Sequence, residues 1–376
     1  MKKRLITGAI MLSILLPLVI IDSEISKILY LCLAMFMSFV GSYEYVSKAF
    51  KDRPEMLVFK IIVPIFSCLL TMLTLCTAAS STSNVALVLI DELKMTMFKC
   101  YALTMISFLF AIAIIYMISL FIKSSSGKDV EACVNSLVYT GLMLGVALSI
   151  RLLEPIGMKD SFLSVNGTKS FLYVYTIVIM TDSFAFLFGK AFGKNKLCPE
   201  ISPNKTKEGA LAGLICGSIC GVIGLYVYGI IPNWEHAFIA IPVGLVVSAV
   251  LSCTVQMGDL IESKFKRTYE VKDFGNILPG HGGILDRFDS FIYSGTMFYI
   301  IIILDKIKDI VLLGATGSIG TQTLEICSNK KIKVKGIAFN NSYEKAIEII
   351  EKYDPICICT SSLSSFEKLK EIYKNK

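Results

Sequence analysis

Nine stretches of this chain are apolar for about the length that crosses a bilayer, and that constrains the fold more than any other feature. They lie near residues 5–22, 27–48, 57–79, 98–122, 133–153, 171–191, 209–230, 236–257 and 288–304. A spanning helix needs roughly 20 predominantly apolar residues. Backbone in lipid must satisfy its own hydrogen bonds, so such stretches form helices. Composition agrees. The 376 residues are 54% hydrophobic and only 18% charged, against about 45–50% and about 25% in soluble domains. The expected fold class is an all-α polytopic membrane protein of about nine transmembrane helices, with a C-terminal partial α/β Rossmann-like segment.

Charge placement sets the expected topology. The first apolar stretch follows Met1-Lys2-Lys3-Arg4 and shows no small-x-small cleavage site before Asp22, so it reads as a retained span with a cytoplasmic N-terminus. Alternation then places Lys51, Arg53, Lys123 and Lys128 on the same side. It also places two basic loops there: 192–208, with Lys194, Lys196, Lys205 and Lys207, and 258–287, with Lys264, Lys266, Arg267, Lys272 and Arg287. The net charge is +7, and the positive residues cluster in particular loops, which reads as membrane topology and not as a nucleic-acid footprint. Twelve cysteines are scattered, mostly in apolar segments, and two histidines offer no zinc set. Cys216 and Cys220 read as small packing residues. Cys357-Ile358-Cys359 has one intervening residue and is no redox motif.

The chemistry concentrates between Ser263 and Asp289, in SKFKRTYEVKDFGNILPGHGGILDRFD. Asp259 closes the eighth apolar stretch, Asp286 and Asp289 flank Arg287 before the ninth, and Asp182 lies within the sixth. A carboxylate at membrane depth is costly and faces a cavity or a partner. Hard divalent cations take oxygen ligands, and Mg²⁺ commonly uses one or two carboxylates plus substrate phosphates. Asp259 and Asp286, brought together from two helix ends, suit that need; the competing reading is a pair of solvated loop ends. Lys264, Lys266, Arg267 and Lys272 suit phosphates, or simply lipid headgroups on the cytoplasmic side. Pro279-Gly280-His281-Gly282-Gly283 can present successive backbone N–H groups to an anion, with His281 orienting a phosphate or moving a proton. A plain tight turn is the alternative. Ser202, Lys205 and Thr206 form a second basic turn, or a helix-start loop with Glu208 at the following N-terminus. His236, beside Trp234, reads as interfacial.

After about residue 304 the chain changes character. Asp309–Gly314, Lys333–Phe339 and Pro355–Cys359 read as strands; Thr321–Cys327 and Tyr343–Tyr353 read as helices. This is a βαβαβ start, the nucleotide-binding half of a doubly wound fold. The expected domains are 1–304 and 305–376.

The run Ser263-x-x-Lys266-Arg267-x4-Lys272-Asp273-x-Gly275-x3-Pro279-Gly280-His281-Gly282-Gly283-x2-Asp286-Arg287-x-Asp289-Ser290 resembles the signature of bacterial phosphatidate cytidylyltransferases (CDP-diacylglycerol synthases). Asp182-Ser-Phe-Ala-Phe and Ile201-Ser-Pro-Asn-Lys205-Thr-x-Glu208-Gly209 resemble that family as well. The resemblance covers about 1–304. It implies transfer from CTP to phosphatidate, giving CDP-diacylglycerol and pyrophosphate, in a bacterial inner membrane with the site facing the cytoplasm. It implies a metal centre on Asp259 and Asp286, with Mg²⁺ and K⁺, and a homodimer. Lys266, Arg267, Lys272, His281 and Asp289 are then the expected catalytic residues. Asp182, Ser202, Lys205, Ser263, Gly280, Gly282, Gly283 and Arg287 are the expected substrate contacts. Membrane lipids are the expected partners, with no nucleic acid.

Ile310-Val-Leu-Leu-Gly314-Ala-Thr316-Gly317-Ser318-Ile319-Gly320-Thr-Gln-Thr-Leu324-Glu325 resembles the N-terminus of 1-deoxy-D-xylulose 5-phosphate reductoisomerase, where the glycines admit the NADPH pyrophosphate. Only about 70 residues of that family are present, so the expected NADPH site is incomplete and the tail inactive as a reductoisomerase. Nine spans place the tail outside, yet Lys330, Lys331, Lys333 and Lys335 would break the charge pattern there. Either the last segment does not cross, or the tail is a truncated fusion. Two other functions stay in play: an ion-coupled transporter, which would also use an intramembrane Asp182, and a non-catalytic membrane scaffold.

Overall fold

The structure is a computed structural model that describes residues 2–79, 97–153, 166–230, 237–278, 282–306, 309–329 and 332–372. Gly280, His281 and His236 lie outside the described residues. The chain divides into two compact units, Met1–Tyr299 and Ile300–Lys376.

The first unit is helical: α1 (Lys2–Ile20), α2 (Glu24–Ala49), α3 (Leu57–Ala79), α4 (Met97–Phe121), α5 (Gly127–Leu152), α6 (Gly167–Phe192), α7 (Lys207–Val227), α8 (Ala237–Thr268) and α9 (Leu285–Lys306), which runs on into the second unit. Among the described residues seven helices, α2 to α8, are long and apolar enough to cross a membrane. At 26 residues, α2 extends about 39 Å. The first and ninth predicted spans are helices too, but among the described residues α1 counts only as a shorter apolar helix, Thr7–Ile20, and α9 opens with Asp286, Arg287 and Asp289. A count of nine spans is therefore not confirmed.

Helix ends carry recognisable caps. Ser23 accepts the Ser26 N–H at the start of α2. At α5 the Asp129 carboxylate takes the Ser126 N–H at 2.7 Å, the reciprocal arm of a capping box. Asp129 also binds Arg53 Nη1 at 2.6 Å, tying the chain after α2 to the start of α5.

In a membrane, helices gain little from hiding apolar side chains from one another. Close contacts between small residues and interhelical hydrogen bonds hold them instead. Both devices are visible. Buried hydroxyls of α2, α3 and α5 form a chain: Ser42 with Ser136 at 2.9 Å, Ser67 to Ser42 at 3.1 Å, and Thr140 to Ser67 at 3.2 Å. On α7, Gly209, Gly213, Gly217 and Gly221 recur every fourth residue, so they share one face. A methyl group at Gly217 would overlap Thr181 Oγ1, and one at Gly213 would lie 2.8 Å from the Thr181 carbonyl. The Thr181 and Ser252 hydroxyls meet at 2.8 Å beside this face, joining α6 to α8. Leu211, Ile215, Ile219 and Ile223 form another face of α7 and are exposed, as a lipid-facing surface requires.

The loop predicted over 192–208 contains a hairpin, β1 (Lys196–Cys198) with β2 (Ser202–Thr206), antiparallel with Lys196 opposite Thr206. Thr206 then caps α7, accepting the Gly209 N–H at 3.2 Å.

The second unit carries β3 (Asp309–Leu313), α10 (Ser318–Asn329), β4 (Lys333–Phe339), α11 (Tyr343–Tyr353), β5 (Cys357–Thr360) and α12 (Leu363–Ile372). The sheet is parallel, in the order β3-β4-β5. Its core includes Val334, Ile337 and Phe339 from β4, Leu324 and Cys327 from α10, and Ile350 from α11. Helix α12 was not foreseen; it adds Leu369 to that core. Gly314 turns out of β3 with φ +76°, a conformation that favours glycine.

The glycine face of α7 generates a prediction. Gly217→Val puts two methyl groups into the Thr181–Ser252 contact, and overpacking of this kind costs about 1–3 kcal/mol. Detergent-purified Gly217→Val should melt several degrees below wild type or aggregate, whereas Ile219→Leu, one turn face away and exposed, should melt as wild type does. Equal melting of both variants contradicts the packing account.

Candidate active site

A cleft of about 620 Å³ is bounded by α6, the hairpin, α7, α8 and α9. Asp182 and Lys190 line it from α6, Asn204 and Lys205 from β2, Gln256, Asp259 and Lys266 from α8, and Asp286, Arg287, Asp289 and Ser290 from α9. Phe186, two-thirds exposed at 67%, forms part of the same wall. Charged groups and an exposed aromatic therefore share one opening.

Helical spacing arranges α8. Asp259, Glu262, Ser263 and Lys266 fall at i, i+3, i+4 and i+7, which is one helix face. Gly258 lets α9 approach that face: a methyl group there would lie 2.9 Å from the Asp289 carbonyl and 3.2 Å from the Ser290 Cα. Two ion pairs cross the cleft. Lys205 Nζ lies 2.5 Å from Asp259 Oδ2, joining the hairpin to α8. Lys266 Nζ lies 2.5 Å from Glu262 Oε2 and 3.1 Å from Asp286 Oδ1, joining α8 to α9.

Asp286 is the most heavily bonded of these groups. Its Oδ2 accepts the Gly283 N–H at 2.7 Å and the Phe274 N–H at 3.0 Å, while Oδ1 takes Lys266. Burial works against its charge; the Gly283 N–H, the Lys266 ammonium and the Phe274 N–H outweigh that cost and hold its carboxyl below the ordinary aspartate value. The same contacts draw residues 274 and 283 together at the neck of the signature loop. Leu278 and Gly282 exchange backbone hydrogen bonds of 2.9 and 3.2 Å further out, with Gly282 at φ +90°.

Of the residues expected at the site, Asp182, Lys205, Asp259, Lys266, Asp286, Arg287 and Asp289 come together on the cleft. Ser202, Ser263, Arg267, Lys272, Gly282 and Gly283 do not line it. Ser263 donates to Asp259 Oδ1 at 3.4 Å, and Arg267 Nε donates to the Ile201 carbonyl at 3.1 Å, bracing the hairpin. Lys272 is exposed on the loop. Glu262 joins this face without having been singled out from the sequence. Its side chain is only 1% exposed and engages Lys266; the helical spacing from Asp259 was the signal that could have found it.

The acidic set fits a hard divalent cation by its chemistry. Asp259 is one-third exposed to the cleft, Asp182, Asp259 and Asp289 lie within electrostatic reach of one another, and every donor is a carboxylate oxygen. Among the described residues no group of three His, Cys, Asp or Glu side chains stands ready to hold a metal ion by itself.

In the tail, Gly314, Thr316 and Gly317 form the turn between β3 and α10, and Ser318, Ile319 and Gly320 open the helix. The Gly317 N–H donates to the Gly314 carbonyl at 3.0 Å.

Comparison with known proteins places this arrangement. Residues 310–376 match the model of 1-deoxy-D-xylulose 5-phosphate reductoisomerase. The phosphatidate cytidylyltransferase of Bacillus subtilis (strain 168) is 36% identical over 197 residues, 52% of this chain and 67% of that protein. That of Staphylococcus haemolyticus (strain JCSC1435) is 39% identical over 178 residues, 47% of this chain and 61% of that protein. That of Staphylococcus aureus (strain COL) is 47% identical over 139 residues, 37% of this chain and 50% of that protein. The matched stretches thus span between half and two-thirds of these relatives. The cytidylyltransferase family model matches residues 2–304, which takes in every helix that lines the cleft, and the chain belongs to that family of nucleotidyltransferases.

Proposed function

We propose that this chain is a phosphatidate cytidylyltransferase, acting on CTP and phosphatidate at the cytoplasmic face of a bacterial inner membrane. The observation that carries the reading is the cleft itself: lysines and carboxylates from α6, β2, α8 and α9 meet at the ends of membrane-length helices, beside the exposed Phe186. A water-soluble nucleotide and a membrane-anchored phosphate can both reach such a place. The relatives' printed names point to the same reaction.

In that reaction a phosphatidate oxygen attacks the α-phosphorus of CTP. The bond from that phosphorus to the bridging oxygen of the β-phosphate breaks, and pyrophosphate leaves with the electron pair. The protein's task is to position two polyanions and to balance their charge. Lys205, Lys266 and Arg287 face the cleft as phosphate-binding cations. In the structure Lys205 and Lys266 are paired with Asp259 and Asp286, so an entering phosphate competes for ammonium groups already aimed at the reacting centre. Arg267 and Lys272 lie outside the cleft lining; together with the Gly280–Gly283 turn and His281 they would receive the outer phosphates. Asp259 and Asp286 would hold Mg²⁺, Asp286 through the Oδ1 that Lys266 releases when it turns to a phosphate, with Asp182 and Asp289 adding negative charge nearby. A bound divalent ion neutralises phosphate charge and stabilises the leaving pyrophosphate. Residues 310–376 match the reductoisomerase model, and we assign them no part in the transfer.

Two predictions test this reading. Detergent-purified protein given Mg²⁺, phosphatidate and radiolabelled CTP should carry label into the lipid extract, and EDTA should abolish it. Asp259→Asn should lower kcat by on the order of 10²–10³-fold, the scale for removing one electrostatic group from a transfer site, while the melting midpoint stays within a few degrees of wild type. A folded Asp259→Asn variant that keeps the wild-type rate would sink the assignment. Separately, residues 1–306 alone should retain the full rate of transfer; loss of activity in well-folded 1–306 would show that the tail takes part.

A further inference from the structure

Glu44 belongs to α2, a helix that contributes no residue to the cleft lining. It is 4% exposed. Its Oε2 reaches the start of α9 and accepts the Ile284 N–H at 2.9 Å and the Leu285 N–H at 3.4 Å. These are among the donors that a helix N-terminus leaves without an intrahelical partner, and a negative group is favoured there. The carboxylate lies in a slot that only glycines leave open. A methyl group at Gly275 would overlap Glu44 Oε1, and one at Gly283 would collide with both carboxylate oxygens. Gly275 and Gly283 also approach each other closely: a methyl on Gly275 would lie 2.9 Å from the Gly283 Cα. The adjacent Tyr45 stacks on Phe274, with centroids 5.3 Å apart, and accepts the Tyr269 hydroxyl at 3.3 Å.

A buried carboxylate is costly, the more so because Oε1 has no hydrogen-bond partner among the described residues. Apolar packing alone has no need of it. Asp286 holds the loop neck from the cleft, through Phe274 and Gly283; Glu44 holds it from α2, through the Ile284 and Leu285 N–H groups and close packing on Gly275 and Gly283. We propose that Glu44 is a positioning residue for the transfer reaction, fixing the first turn of α9 so that Asp286, Arg287 and Asp289 face Asp259 and Lys266. This rests on the reading of the cleft as the transfer site.

The test compares Glu44→Ala, Glu44→Gln and Gly275→Ala in the full chain, with two readouts: kcat and KM for CTP in the lipid-labelling assay, and the rate of tryptic cleavage after the exposed Lys272. A displacement of about 1 Å at a reacting centre can cost on the order of 10²-fold in rate. Glu44→Ala should therefore lower kcat on that order, leave KM for CTP nearly unchanged and speed cleavage after Lys272. Glu44→Gln, equal in length and still an acceptor for Ile284, should restore most of the rate. Gly275→Ala fills the slot from the loop side and should reproduce the Glu44→Ala kinetics, so the proposal stays testable if Glu44→Ala does not fold. Wild-type kcat in Glu44→Ala, or equal loss in Glu44→Ala and Glu44→Gln, would overturn the positioning role. Absence of label transfer by the wild-type chain would instead defeat the reading of the cleft, and unchanged cleavage after Lys272 would defeat the clamp itself.

Discussion

The Asp286 carboxylate is the point on which the site depends. It is 1% exposed and receives Lys266 from α8, the Gly283 N–H from the end of the signature loop and the Phe274 N–H from its beginning. A buried carboxylate without these donors would be strongly unfavourable; with them, three pieces of chain are held within one side chain's reach. Lys266 in turn holds Glu262, so the pairing extends one turn back along α8 toward Asp259. Arg287 and Asp289 follow from this anchor, because they ride on the same first turns of α9.

The membrane part of the fold makes that anchor possible. Lipid gives no reward for helix contact as such, so the helices meet through glycines and hydroxyls. The Gly213 and Gly217 contacts with Thr181 hold α7 against α6, immediately before Asp182. The Thr181–Ser252 hydroxyl pair holds α8 about two turns before Asp259. Gly258 then admits α9 beside Asp259. Small residues thus set the spacing at which the carboxylates of three helices share a cleft, and the hairpin adds Lys205 from above α7.

Much of this was legible in the chain itself, for a physical reason. Apolar length announces a membrane helix directly, and seven of the nine expected spans are helices of spanning length and hydropathy. The signature residues Asp259, Lys266, Asp286, Arg287 and Asp289 were legible because charge next to an apolar segment needs a purpose. Glu44 was not: it lies in a largely apolar helix more than two hundred residues from its partners, and only the fold brings it to Ile284. The β1–β2 hairpin was hidden because its strands are three and five residues long, too short for an alternating pattern. Arg267 and Lys272 carried the same charge signal as Lys266, yet helical phase turns Lys266 into the cleft and leaves Arg267 on the hairpin side.

The central claim is that the cleft moves a cytidylyl group, and positional labelling tests it most directly. The wild-type protein would be given phosphatidate, Mg²⁺ and CTP labelled either at the α-phosphate or at the γ-phosphate. The account predicts that α-label enters the lipid extract while γ-label appears only in pyrophosphate. Label from the γ-position in the lipid, or no label from either position, would contradict it.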